Sequence, residues 1–220
     1  MKYNDIYYFC IVRIIKPSGF LRMFYPSLIW QMPKSDKKAI YLTFDDGPHP
    51  LITPKILEIL RNYNAKATFF CLGYNVKNYP ETFELIKKEG HSVGNHTFNH
   101  ENGWKTDTNA YVKSVFASNE LINSNLFRPP YGKIKYSQLK KLGIQTRHST
   151  SLHVIAWTVI AYDWDHALSQ EDVYNNVIKN ADDGDIVTFH DSLKAYNNMI
   201  NALPRVLDYY TKKGFIFKAL

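Results

Sequence analysis

Strand-like and helix-like segments alternate along this chain almost without a break, and that order admits few folds. Apolar β-type runs occupy 39–44, 66–72, 91–95, 125–128, 153–160, 185–190 and 214–219. Between them, 53–63, 80–89, 108–123, 136–142, 170–180 and 196–213 carry apolar residues at helical spacing, as in Ile56, Leu57, Leu60 and in Leu203, Val206, Leu207, Tyr210. Helix candidates 80–89 and 196–213 close on basic turns followed by Gly90 and Gly214, a recognised stop signal. Strict alternation predicts a parallel sheet with its helices outside. Seven strand candidates suit an α/β barrel one strand short of the eightfold one. At 220 residues, with 45% hydrophobic and 15% aromatic residues, the chain is sized for one such domain over 38–220. The polar stretch 143–152 (GIQTRHSTSL) is expected to be a surface loop.

Residues 1–37 lie outside this alternation. The apolar run 6–12 is closed by Arg13 and Lys16 and is too short to span a bilayer. No clear small-residue cleavage site follows it, so an export signal is not expected and cytoplasmic and envelope-associated locations both stay open. An aromatic-rich arm (Phe20, Phe24, Tyr25, Leu28, Trp30) docking on the domain is the preferred reading, ahead of a shallow membrane contact. The net charge is +7, but the lysines are scattered and form no dense basic block, which argues against a nucleic-acid partner. The two cysteines, Cys10 and Cys71, have no zinc-type spacing, and Cys71 reads as a buried apolar residue.

In a β/α barrel the chemistry sits at the C-terminal ends of the strands. Here those ends are polar. Asp45-Asp46 closes the first strand within Thr-Phe-Asp-Asp-Gly-Pro, and two adjacent carboxylates there disfavour each other's ionisation unless a cation intervenes. If one binds a divalent metal, the other is left to act as a base. His96 and His100 follow the third strand; i, i+4 spacing would place both imidazoles on one face of a helical turn. With one carboxylate they would make a three-ligand set that leaves a position open, as catalytic zinc sites do. Alone, the pair reads equally well as surface histidines. Arg128-Pro129-Pro130-Tyr131-Gly132 follows the fourth strand: either an ordinary Pro-Pro turn, or a rigid one in which Arg128 orients a carboxylate and a backbone N–H serves an oxyanion. Asp163-Trp164 follows the fifth. His190 ends the sixth, as a satisfied core residue or as a general acid oriented by Asp163.

Taken in order, TFDDGP, HTFNH, RPPYG, the YDW around Asp163 and the FHD around Asp191 resemble the polysaccharide deacetylases of carbohydrate esterase family 4, the NodB homology domain. The resemblance covers about residues 38–220 and extends to a short single-domain branch of bacterial members. It implies a distorted (β/α)7 barrel and a metal-dependent deacetylase acting on an N-acetylated glycan such as peptidoglycan or chitooligosaccharide. An O-deacetylase on a polysaccharide such as xylan, an amidohydrolase on a small non-sugar amide and an inert glycan-binding module are the alternatives. By the same resemblance Asp45 is the base, Asp46, His96 and His100 are the metal ligands, Arg128 holds Asp45, and the Tyr131 backbone completes the oxyanion site. Asp163 orients His190, and His190 is the acid. Pro130, Tyr131, Trp164 and Thr188 fall at the substrate. The implied metal is zinc, with cobalt or nickel as alternatives, and a monomer is expected. Two positions depart from the family pattern. Ile160 stands where many members carry Asp, and Thr188 stands where many carry Leu, which bears on the acetyl pocket.

Overall fold

The computed structural model describes residues 14–23, 25–34, 36–143 and 152–220. The expected loop at 143–152 falls almost wholly outside them, as do Cys10, Phe24 and the apolar run 6–12. The strands are β1 (Ala39–Asp45), β2 (Ala67–Cys71), β3 (Ser92–Asn95), β4 (Leu126–Phe127), β5 (His153–Val154), β6 (Val159–Ile160), β7 (Ile186–His190) and β8 (Ile216–Phe217). The helices are α1 (Gly19–Met23), α2 (Thr53–Asn62), α3 (Gly73–Asn78), α4 (Pro80–Lys88), α5 (Thr108–Ile122), α6 (Tyr136–Lys141), α7 (Gln170–Ile178) and α8 (Tyr196–Lys212).

All the strand pairs are parallel, in the order β5-β4-β3-β2-β1-β7-β6, with β8 beside the start of β1. Seven strands thus form the curled sheet of the expected distorted barrel. Its inner and outer faces follow from the strand period of two. Leu42 and Phe44 of β1 face outward into the main core with Ile56, Leu57, Leu203 and Leu207 from the helices. There Phe44 stacks on Phe69 at 5.1 Å and on Phe189 at 6.1 Å. Tyr41, in a smaller cluster with Phe70, Ile155 and Ile186, takes the opposite face with Thr43 and Asp45.

One strand expectation is corrected. The apolar run 153–160 is not a single strand but the two opposite edges of the sheet, β5 and β6, joined by 155–158. A continuous apolar run fixes burial, not which neighbour supplies the hydrogen bonds. The residues between change partner partway: Ile155 N–H still donates to β4, at Phe127 O, 2.8 Å, Ala156 N–H turns to Ile29 O at 2.8 Å, and Thr158 N–H already donates to β7, at Ile186 O, 3.0 Å. This seam is flanked by the N-terminal segment. Ile29 forms a parallel bridge with Ile155, Ile160 N–H donates to Ile15 O at 3.0 Å, and Lys16 pairs with the buried Asp185 at 3.0 Å. Gly184, at φ 84°, lets the backbone of Met32 come close: a Cβ there would sit 2.5 Å from Met32 O. No helix among the described residues is long and apolar enough to cross a membrane.

Candidate metal and catalytic site

The C-terminal ends of β1, β3, β4, β6 and β7 bring Asp45, His96, Arg128, Asp163 and His190 to one mouth of the sheet. Parallel register sets Asp45 opposite His190 and Thr43 opposite Thr188. Beyond Asp45 the chain turns sharply. Asp46 adopts φ 79°, and Gly47 packs on Asp191 so closely that a Cβ would lie 2.3 Å from its Oδ2. Asn75 of α3 donates to Asp46 O at 2.7 Å and fixes the turn from the other side.

His96 and His100 converge, but not on a helical turn as their spacing predicts. The stretch 96–100 is irregular, with Thr97 at φ 68° and His100 at φ 61°. Asn95 Oδ1 accepts the Thr97 N–H at 2.8 Å, and Thr97 Oγ1 accepts the Glu101 N–H at 3.2 Å. These local bonds hold a left-handed backbone that costs on the order of 1–3 kcal/mol per residue. The imidazole centroids lie 5.1 Å apart.

Asp46, His96 and His100 each offer one ligand atom, all within 4.8 Å of one another. His100 Nε2 is 3.2 Å and His96 Nε2 3.7 Å from Asp46 Oδ1. That oxygen is buried and, among the described residues, has no hydrogen-bond partner, an expensive state for a carboxylate unless a cation meets it. The histidines are prepared for the same role. His96 Nδ1 donates to Arg128 O at 2.7 Å, which turns the Nε2 lone pair toward Asp46, and His100 Nδ1 lies 3.1 Å from the Tyr131 hydroxyl. Burial, against the pull of Asp45, lowers the His96 pKa to about 4, so the ring is neutral as a ligand must be. The donor set fits a divalent cation.

Asp45 is buried, and its Oδ1 accepts from Arg128 Nη1 at 2.8 Å. Its Oδ2 lies 4.0 Å from His96 Nε2, on the side of the candidate ligands. Burial is the largest influence and works upward, yet the positive charges of Arg128 and His190 hold the Asp45 pKa below the ordinary carboxylate value. Arg128 is fully buried. It also donates through Nε to Ile155 O at 3.3 Å and through Nη2 to Ala156 O at 3.0 Å, and it lies 4.2 Å from the Phe70 ring centroid.

Across the mouth, His190 Nδ1 donates to Asp163 Oδ1 at 2.9 Å, and the His190 N–H to Oδ2 at 2.7 Å. Burial depresses the imidazole pKa, but Asp163, with Asp46 and Asp45 behind it, outweighs burial and raises it to about 9. The Trp164 ring stands edge-on to His190 at 4.4 Å and tilts against Tyr162 at 4.9 Å. Tyr131 has φ 60° in the short turn 130–132; its ring is exposed, and among the described residues its N–H has no acceptor. Pro130 is buried at the start of that turn. Thr188 is fully buried, its hydroxyl engaged by Arg128 and Thr43. Ile160 of β6 is buried beside it in register.

Three contributors were given no role in the sequence: Thr43, Asn75 and Asp191. Asp191 accepts from Thr53 Oγ1 at 2.5 Å, and burial raises its pKa to about 7. Only Asp191 carried a visible signal, as a carboxylate next to His190 at a strand end.

Known proteins resemble this chain in sequence and fold. The family model described as polysaccharide deacetylase matches residues 33–146. A peptidoglycan-N-acetylglucosamine deacetylase of Bacillus cereus is 34% identical over 211 residues, covering 92% of each chain. A chitooligosaccharide deacetylase of Azorhizobium caulinodans is 34% identical over 71% of this chain and 75% of its own. The crystal structure of a peptidoglycan N-acetylglucosamine deacetylase in complex with an N-hydroxybenzamide superposes with a TM-score of 0.82 at 31% identity, over 93% of this chain and 95% of that one. With the strand-end residues in place and this breadth of likeness, the chain belongs to the polysaccharide deacetylase family.

Proposed function

We propose that this deacetylase hydrolyses the N-acetyl groups of a glycan such as peptidoglycan or chitooligosaccharide, releasing acetate and leaving a free amine on the sugar. One observation carries the reading. Around Asp46, His96 and His100 stand a carboxylate held ionised by an arginine and an imidazole held protonated by an aspartate. That is a base and an acid on either side of one centre, the pairing amide hydrolysis requires.

Asp45, with Oδ1 occupied by Arg128, uses its other oxygen to accept the proton of the attacking water. The N–H of Tyr131 donates to the acetyl oxygen as negative charge builds on it. His190 gives its Nε2 proton to the departing nitrogen, while its Nδ1–H stays on Asp163 and fixes the ring. Trp164 walls the histidine and restricts water there. A divalent cation on Asp46, His96 and His100 would supply carbonyl polarisation and a more acidic water; zinc suits two imidazoles and a carboxylate, and cobalt or nickel would serve.

The test is acetate release from a panel of N-acetylated oligosaccharides, O-acetylated xylan and small amides, with and without chelator. Chelator-sensitive release from the N-acetylated glycans is expected. Release from xylan or small amides alone would overturn the substrate assignment. A His96→Ala protein that kept both its metal and its activity would overturn the ligand set.

A further inference from the structure

Within the barrel, below the Asp45 carboxylate, lie two buried threonine hydroxyls. Strand register places them there. Thr43 pairs with Thr188 as Asp45 pairs with His190, and the period of two turns each threonine to the same face as the catalytic residue two positions on. The hydroxyls are 3.1 Å apart. Thr43 Oγ1 donates to Val187 O at 3.0 Å, so its lone pairs face inward. Arg128 Nη1 lies 2.7 Å from Thr43 Oγ1, 3.1 Å from Thr188 Oγ1 and 2.8 Å from Asp45 Oδ1.

This nitrogen carries two protons and meets three acceptors. A consistent proton arrangement exists: Thr43 donates to Val187 O, Thr188 donates to Thr43, one Nη1 proton goes to Asp45, and the other is shared between lone pairs of the two threonines. The other nitrogens of Arg128 are held by the carbonyls of Ile155 and Ala156. Those bonds anchor one side of the plane. The threonines anchor Nη1, the nitrogen that holds Asp45. A buried cation facing a single carboxylate needs such neutral acceptors, because every unmet donor costs its full desolvation.

We propose that Thr188, together with Thr43, is a positioning residue for the reaction: the hydroxyl pair locks the Arg128 guanidinium, and through it aims Asp45. This rests on Asp45 being the base. It also gives Thr188 a task unlike that of an apolar wall for the acyl methyl, since its hydroxyl is bonded and its surface is buried.

Two variants test it. Thr188→Val keeps the shape and deletes the hydroxyl; Thr188→Ser keeps the hydroxyl. The first readout needs no turnover: ¹⁵N-resolved NMR of the arginine side chains in the purified protein. Slow Nη proton exchange for Arg128 is expected in the wild type and in Thr188→Ser, with clearly faster exchange in Thr188→Val. The second readout is kinetics on an N-acetylated oligosaccharide. Losing one bond to a charged group predicts a kcat about tenfold lower in Thr188→Val with KM unchanged, largely restored in Thr188→Ser. Unchanged Arg128 exchange in Thr188→Val overturns the proposal, as does a wild-type kcat accompanied by altered acetyl-against-propionyl preference. A wild type inactive on every N-acetylated glycan would overturn the functional reading instead, and the NMR comparison would still decide the role of Thr188.

Discussion

Two buried aspartates face one another across the mouth of the barrel, and their partners make them opposites. Asp45 is paired with Arg128, which stays protonated at any working pH, and its pKa is drawn below the ordinary carboxylate value. Asp163 is paired with His190; burial raises its pKa above the ordinary value, and the imidazole beside it is raised to about 9. Burial is equally deep in both cases. What differs is whether the cation can titrate. A permanent cation leaves an empty carboxylate, ready to accept a proton. A titratable one stores a proton and can give it away. On the proposed mechanism, the fold builds its acid and its base from the same anion by changing only the counter-ion.

The comparison breaks most visibly at Asp45. Asp45→Asn should cut kcat by about 10²-fold or more, the scale of a general base, while bound metal measured by mass spectrometry stays stoichiometric. Turnover near wild type would remove the asymmetry altogether. Asp163→Asn should cost on the order of 10- to 10²-fold. It should also lower the His190 pKa, moving the alkaline limb of the kcat profile to lower pH; a limb that stays put would show that Asp163 does not hold the proton on His190. Tyr131→Phe removes only the hydroxyl on His100 Nδ1, and should weaken metal binding about tenfold in a competitive chelator titration, leaving both aspartate pairs intact.

The smallest effect is read without substrate. In the metal-free protein the His190 Cε1–H resonance should titrate near pH 9. A cation at Asp46 should move that midpoint down, because like charges oppose protonation. The sign for stability follows from linkage. The folded pKa is raised from 6.5 to about 9, so the stabilisation is complete below pH 6.5 and is lost as pH rises through about 9. Urea midpoints of the metal-free wild type and His190→Gln should therefore differ at pH 6 and converge at pH 10. A constant difference would contradict the charged pair.

Much of this was legible in the amino-acid order. The strands β1, β2 and β7 declare themselves as apolar runs, and polar residues at their ends stand out because nothing in a buried strand explains them. Contacts set by tertiary hydrogen bonding were not legible. The run 153–160 looked like one strand because hydropathy reports burial alone. The spacing of His96 and His100 suggested a helix because the pattern cannot show a left-handed Thr97. Helix α3, short and wedged between Gly73 and Pro80, left too few residues to reveal a period. Thr43 and Thr188 were hidden most deeply: a hydroxyl in a strand is unremarkable until register places another one 3.1 Å away.

Arg128 has a consequence for how such a protein can change. The same guanidinium that holds Asp45 also fastens the carbonyls of Ile155 and Ala156, where the two edges of the sheet meet without pairing to each other. Closure of the scaffold and readiness of the catalyst are therefore inherited together at one position. A library screened only for folding and a library screened only for turnover should each retain arginine there, for unrelated reasons. No sequence of single changes can trade robustness for activity at this point, because both would fall at the same step.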